Sequence, residues 1–316
     1  MERRQALAKA TITRTTASAG LLPAGVSRKF LHKIKDTSEF GKAIRMEIVN
    51  EPTGTVNYIA SGRRLIRKAE ENADDGYRAE VTFPTVPYAT VKCRLPWEVT
   101  EDTFHENIEG QTLEEAIVAE MTEQFGLDLD DLDVNGDTAD VSADAAFLTI
   151  DNGLLKLAAT AGGIHRIDGS AINGGAINKA HFFAMHYAMP NKYRASGNAR
   201  LFMSPNRKIS WLEAMTERET AAGDAVIAGG NGFDKPLGTP IVEIPFFPDD
   251  RVIYTDPKNL VRVVSWQIRK RKVTGDTDWE LATRDKRGYL YFLKRDFIIQ
   301  ETDAVVDLFG LDPIVF

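Results

Sequence analysis

The sequence predicts a mixed α+β protein in which helices and strands follow no regular alternation. Three observations carry this. Helical spacing is confined to a few segments, the clearest beginning at Thr112. Strand-like alternation recurs at Ala43–Asn50, Val56–Leu95 and Tyr289–Ile299. No strand–helix–strand series links these segments, and no internal repeat is present.

Composition bounds the rest. The chain has 316 residues, 43% hydrophobic and 27% charged, which suits a folded protein with a sizeable core and excludes a disordered one. No stretch is apolar for long enough to cross a membrane, and Met1-Glu-Arg-Arg4 has no apolar signal region behind it. Cys93 is the sole cysteine, so neither an internal disulfide nor a zinc cluster can form, and a reducing cytoplasm is expected. Its simplest role is that of a half-buried strand residue.

Net charge is −7, which argues against a general nucleic-acid binder. The distribution says more. Arg3, Arg4, Lys9, Arg14, Arg28, Lys29, Lys33 and Lys35 make the first segment basic, whereas residues 95–155 contain no Lys or Arg and many Glu and Asp. Such a basic arm and acidic middle can attract each other within or between copies, over about 8 Å at physiological salt. A solvated acidic face with a separate basic tail explains the pattern equally well.

In chain order, residues 1–26 are rich in Ala, Thr, Ser and Gly and read as an extended arm. Ser27 can cap a short helix through Lys35, with Phe30, Leu31 and Ile34 on one side. After the strand at Ala43–Asn50, two β-like arms, Val56–Ile66 and Tyr77–Leu95, flank a charged connection with an Asp75-Gly76 turn. In the second arm Val91, Cys93 and Leu95 point one way, Lys92 and Arg94 the other. A two-stranded ribbon is marginal alone in water, so it needs a surface to lie on. Where its own body supplies none, a neighbouring copy must.

Thr112-Leu-Glu-Glu115 matches a capping box, followed by Leu113, Ile117, Val118, Met121 and Phe125 on one stripe. Gly126 can end this helix, but one Gly costs only about 1 kcal/mol, and continuation through Leu129 and Leu132 is the preferred reading. Beyond Asn135-Gly136 the chain is loop-like up to Phe147–Leu155. Helices are expected over Ala176–Met189, stopped by Pro190, and over Ile209–Arg218. Strands are expected at Leu201–Met203, Val242–Phe247, Arg251–Tyr254, Val261–Ile268, Trp279–Thr283 and Tyr289–Ile299.

Several catalytic and ligand patterns are approached and missed. Asp131, Asp133, Asn135 and Gly136 match the first half of a calcium loop, but its twelfth position is Ser142 instead of Glu, which leaves an acidic turn closing a helix. The glycines at 162–163, 174–175 and 229–232 precede no Lys-Ser/Thr and form no Gly-x-Gly-x-x-Gly, so loop glycines are the simpler reading. His181 and His186 are five apart, where a metal pair on a helix is usually four apart; helix-surface or interface histidines fit better. There is no nucleophile elbow and no Cys–His combination. Carboxylate pairs are expected by chance in an acidic run and identify no glycosidase. The basic run Arg269-Lys-Arg-Lys272 could touch phosphates, although a solvated strand end or an intersubunit ion pair is the plainer account. No catalytic, cofactor or metal site is assigned.

A series of segments carries a resemblance. They are Gly62-Arg-Arg-Leu-Ile-Arg-Lys-Ala69, Asp75-Gly-Tyr77, Glu106-Asn-Ile-Glu-Gly110, Leu113-Glu-Glu-Ala-Ile117 and Leu132-Asp-Val-Asn-Gly-Asp-Thr138. Then come Ala188-Met-Pro-Asn-Lys-Tyr193, Pro236-Leu-Gly-Thr-Pro240 and Tyr289-Leu-Tyr-Phe-Leu-Lys-Arg-Asp-Phe297. Together, in this order, they resemble the major capsid proteins of tailed bacteriophages, with the Hong Kong 97-type fold.

The resemblance implies an N-terminal arm over 1–40, an extended E-loop and its base over 41–97, and a P-domain over 98–164 with a spine helix at about 112–132. It further implies an axial A-domain over 165–270, P-domain strands over 271–302 and a segment 303–316 that returns to the A-domain. It implies a structural subunit, not an enzyme, that forms hexamers and pentamers of a shell around double-stranded DNA without sequence-specific binding. Scaffold, portal and decoration proteins are its implied partners, and the virion, assembled in host cytoplasm, its location; no cofactor and no membrane are implied. The chain starts almost directly at the arm, so either a leading segment is cleaved or a separate scaffold acts. Relatives that weld neighbours through Lys–Asn bonds direct attention to Lys68 and Asn72, for which salt-bridging is the simpler role.

Candidate intersubunit contacts are Arg63, Arg64, Arg67 and Lys68 at the ribbon tip and Glu120 and Glu123 on the spine helix. Two alternatives stand beside this. One is an encapsulin shell, which encloses cargo enzymes instead of a genome. The other is a cytosolic enzyme with an unrecognised site, which no constellation supports.

Overall fold

The computed structural model describes residues 38–58, 60–61, 66, 68, 78, 81–100, 113–216, 235–265, 269–273 and 286–314. The basic arm, the Ser27–Lys35 helix, the Asp75-Gly76 turn, Thr112, the glycines at 229–232 and the Trp279–Thr283 strand lie outside them.

The described elements run α1 Glu39–Ala43, β1 Arg45–Val49, β2 Thr53–Asn57, β3 Ala60–Ser61, β4 Val81–Thr82, β5 Thr85–Ala89 and β6 Val91–Thr100. Next come α2 Leu113–Asn135, α3 Ala145–Leu148, α4 Leu154–Thr160, β7 His165–Asp168, α5 Lys179–Ala188, α6 Asn191–Arg194, β8 Arg200–Met203 and α7 Pro205–Thr216. The chain then forms β9 Ile241–Glu243, β10 Val252–Thr255, β11 Leu260–Ser265, β12 Arg269–Val273, β13 Lys286–Ile299 and β14 Val305–Phe309.

Local chemistry explains the boundaries. Ser38 opens α1, a turn of helix the sequence did not announce, by accepting from Gly41 N at 2.8 Å. The long helix α2 runs through Gly126 and ends at Asn135, because its apolar stripe continues past that glycine. Gly136 then lets the chain pass against Gly153, whose amide donates to Gly136 O at 2.7 Å. A Cβ on Gly136 would meet Asp151 O at 2.3 Å, so only glycine fits. The helix expected over Ala176–Met189 is α5, narrower at its start because Asn178 is its N-cap.

Two five-stranded sheets organise the molecule. In the first, β13 pairs antiparallel with β6 from Lys286 to Arg295, with β12 from Gly288 to Phe292 and with β11 from Arg295 to Ile299. The strand β1 adds parallel to β11. In the second the order is β7-β14-β10-β8-β9. Leu260–Ser265, inside the interval expected for the axial domain, belongs to the first sheet.

Strand alternation divides the faces of the first sheet. Leu260, Arg262 and Val264 face one way, and Val264 and Leu293 pack with Phe125 and Leu129 of α2. Val261, Val263 and Ile298 face the other way and pack with Val56 of the ribbon. The second sheet is covered by α5 and α7, whose Phe182, Met185 and Trp211 pack on Leu201, Met203, Tyr254 and Leu308. A third cluster, including Phe40, Val134, Leu154, Phe202, Ile253 and Phe297, joins the two sheets.

Candidate assembly surfaces and the buried ion cluster

Among the described residues, the ribbon forms two short antiparallel pairs, β2 with β5 and β3 with β4. Its base is tied to the body, more than the sequence implied: Val56 is buried on the first sheet and Ala89 N donates to Asp296 at 2.7 Å. The second arm is also shorter than expected. From Val91 onward the chain leaves the ribbon and becomes β6, a strand of the first sheet, because Cys93 and Leu95 find Leu293 and the α2 stripe beneath them. Cys93 is buried instead of half-buried, and burial pushes its thiol up to about 11, which keeps it protonated and unreactive.

Of the ribbon-tip candidates, Arg63, Arg64 and Arg67 lie outside the described residues, as does Asn72, while Lys68 is exposed. Ile66, an apolar side chain toward the tip, is 95% exposed. On α2, Glu120 and Glu123 are both exposed, on a face shared with Glu115, Ala116 and Ala119. The two groups of candidates are therefore not brought together within the described part of one chain.

The predicted apolar stripe of α2 is correct in phase and too generous in extent. Ile117, Val118 and Met121 are only partly buried, and full burial begins at Phe125 and continues through Leu129, Leu132 and Val134. Among the described residues, packing of the helix on the first sheet begins at Phe125.

That packed half holds a constellation the sequence reading missed. Arg262 of β11 donates from Nη2 to Asp130 and from Nε to Asp133, and Ser38 Oγ also donates to Asp130. Arg295 of β13 places Nη2 2.5 Å from Asp133 Oδ1 and 3.5 Å from Asp151 Oδ2. All four of Asp130, Asp133, Arg262 and Arg295 are at most 1% exposed. Burial works against the Arg262 charge, but the Asp133 and Asp130 carboxylates more than offset it and raise its pKa above the usual value. Such a cluster fixes helix against sheet in one register, because any slip leaves charges buried and unpaired.

A sequence signal for it existed. Arg262 is a lone cation in an otherwise apolar strand, Arg295 falls in the apolar alternation Tyr289, Tyr291, Leu293, Phe297, and Asp130 and Asp133 are three apart on a helix. The calcium-loop pattern read the same acids at alternate positions of a loop. In the structure Asp133 points to the two arginines, while Asn135 Nδ2 donates to Asp131 at 2.6 Å and to Phe246 O at 2.8 Å. The acidic run is the end of a helix closed by Asn-Gly.

The histidines separate. His181, expected at a surface, is fully buried as the third residue of the Asn178 capping box, 3.1 Å from Gly169 O. His186 lies 3.1 Å from Thr239 Oγ1. Burial lowers both pKa values. Among the described residues no group of three His, Cys, Asp or Glu side chains could hold a metal ion. No described helix is long and apolar enough to cross a membrane. The outer face of α5 instead carries Phe183 and Tyr187, both exposed, with ring centroids 6.4 Å apart.

Comparison with known proteins places this architecture. No protein-family model matches the sequence. A Bacillus subtilis protein described as a prophage capsid protein, YqbE, is 26% identical over 326 aligned positions that span 98% of each chain. Among solved structures, a chain of the satellite phage P4 procapsid superposes with a TM-score of 0.65 at 14% identity, covering 94% of both chains. The capsid of a native GTA particle matches at 0.60 and 14% identity over 88% of this chain and 91% of its own. Gordonia phage Cozz matches at 0.57 and 16% identity over 88% of this chain and 87% of its own. The chain is thus similar from end to end to a prophage capsid protein, and its fold is the Hong Kong 97-type capsid fold.

Proposed function

We propose that this protein is the major structural subunit of a tailed-phage head, with no catalytic role. It assembles through hexamers and pentamers into an icosahedral shell around double-stranded DNA. The observation that carries this reading is the ribbon. Its base is packed on the first sheet, while its tip presents Lys68 and Ile66 outward, a geometry that becomes stable when a neighbour covers it.

In this reading the ribbon is the E-loop, within residues 41–97, and α2 is the spine helix of the P-domain. The second sheet is the axial A-domain, joined by the C-terminal strand β14, and Phe183 and Tyr187 offer it an aromatic contact surface. Arg63, Arg64, Arg67 and Lys68 of one subunit meet acidic side chains of the next, Glu120 and Glu123 among them. The N-terminal arm lies within residues 1–40, and its last residues, Ser38 and Phe40, pack on their own chain. Scaffold, portal and decoration proteins, and the virion assembled in host cytoplasm, complete the setting.

Electron microscopy of the expressed protein, with and without a co-expressed scaffold, tests the proposal. Closed shells or capsomers are expected. Only monomer at low salt in both preparations would refute it. Shells purified from an infected or induced host should contain DNA; enclosed enzyme in place of DNA would favour the encapsulin reading.

A further inference from the structure

A groove of about 790 Å³ runs beside the second half of α2. Its floor is apolar, with Phe147, Leu155 and Phe246 partly buried, and its rim carries Asp128, Asp131 and Asp144. The one cation in its lining, Arg251, is already committed to buried Asp307, 2.6 Å from Nη2 to Oδ2. Among the described residues, the side-chain donors to the rim acids are neutral: Gln124 Nε2 to Asp128 at 2.7 Å and Asn135 Nδ2 to Asp131 at 2.6 Å. Burial raises the Asp131 carboxyl, with Asp128 and Asp144 adding to the effect. An apolar floor under an acidic rim fits a segment that is apolar on one side and cationic on the other.

The sequence contains such a segment, and it enters close by. Arg28-Lys-Phe-Leu-His-Lys-Ile-Lys35 pairs Phe30, Leu31 and Ile34 with four cations. The described chain begins at Ser38, whose hydroxyl donates to Asp130, on the same turns of α2 that wall the groove. Three extended residues reach about 10 Å, which matches the 10–12 Å width of a helix with its side chains. Lys35 can therefore reach the groove without passing to another subunit, and the short tether gives a high effective concentration.

We propose that residues 28–35 of each chain seat in this groove of the same chain, with Phe30, Leu31 and Ile34 on the floor and the lysines against the acidic rim. This does not depend on the shell reading. The test is carbodiimide joining of lysines to carboxylates in the purified full-length protein, prepared from mixed light and isotope-labelled chains and read by mass spectrometry. Joining of Lys33 or Lys35 to Asp128, Asp131 or Asp144 within like-labelled chains is expected. Asp144→Lys should lower joining to the two remaining acids about fivefold, equivalent to about 1 kcal/mol for loss of an exposed pair and gain of a like charge. Combining it with Lys33→Glu should restore joining between positions 33 and 144. Because Asp144 is exposed, an unchanged melting temperature confirms that Asp144→Lys remains folded. Joining only between unlike-labelled chains overturns the intrachain seat in favour of a neighbour's arm. No joining, or joining indifferent to Asp144→Lys, overturns the proposal altogether.

Discussion

The two halves of α2 belong to one helix and answer to different surroundings. From Phe125 to Val134 the helix is a structural member, with Leu129 and Leu132 packed and Asp130 and Asp133 gripped by two strand arginines. From Glu115 to Gln124 it shows Glu115, Glu120 and Glu123 to solvent and only half-covers Ile117 and Met121. The difference teaches that a continuous apolar stripe sets the direction a helix faces but not how much of it is covered. Coverage is decided by what packs beneath each turn, here Val264 and Leu293 under Phe125 and Leu129.

The sharpest way to break this contrast is to cut the grip. Arg262→Met leaves Asp130 and Asp133 buried with an uncompensated charge, and should cost about 3–5 kcal/mol in denaturant unfolding. A cost below 1 kcal/mol would show the cluster to be ornamental. Next in size is packing. Leu132→Ala should cost about 2–5 kcal/mol through cavity formation. Met121→Ala, on partly covered surface, should cost about 1 kcal/mol. Equal costs at the two positions would erase the distinction between the halves.

A pH effect sharpens the same comparison. Burial pushes Asp151 up to about 6, with Arg295 opposing and Asp296 and Asp133 adding. A carboxyl that holds its proton more tightly folded than unfolded makes the fold lose stability as pH rises. The loss runs from about 4, where the unfolded group ionises, to about 6. Asp151→Asn should abolish that decline and leave the variant about 1–3 kcal/mol more stable at pH 7, an upper figure set by the shift itself. Parallel stability curves for the two proteins between pH 4 and 7 would contradict it. The smallest effect is expected on the exposed half. Glu120→Gln and Glu123→Gln should change monomer stability by less than about 0.5 kcal/mol. Any effect should be on assembly yield and should fade as salt rises, which light scattering across a salt series would reveal.

Much of this architecture was legible in the sequence because its causes are local. The Pro190 stop, the Asn135-Gly136 end of α2 and the alternation that became β13 each follow from residues within one turn or one pleat. The buried cluster was not legible, because it joins Asp133 to Arg262 and Arg295 across more than a hundred residues. The same limit applies at Val91, where the ribbon becomes a sheet strand. Nothing local marks the change, and the partner that causes it is Arg295. Helix starts suffered in a milder way: Ile209 was expected to begin a helix that Pro205 in fact opens. Pro at the first helical position is a start signal that apolar spacing alone overlooks.

One strand has a consequence for how the molecule comes to exist. Because β13 holds β6, β11 and β12 in place, the first sheet has no centre until residues 286–299 have left the ribosome. Until then β6 waits with its edge unpaired across nearly two hundred residues of synthesis, and β1 has only β11 to lean on. Such long waits slow folding and expose strand edges to the wrong partners. In a cell making many copies side by side, the chain is at its most adhesive just before it is finished. A message truncated before codon 286 should yield aggregate rather than a smaller folded protein.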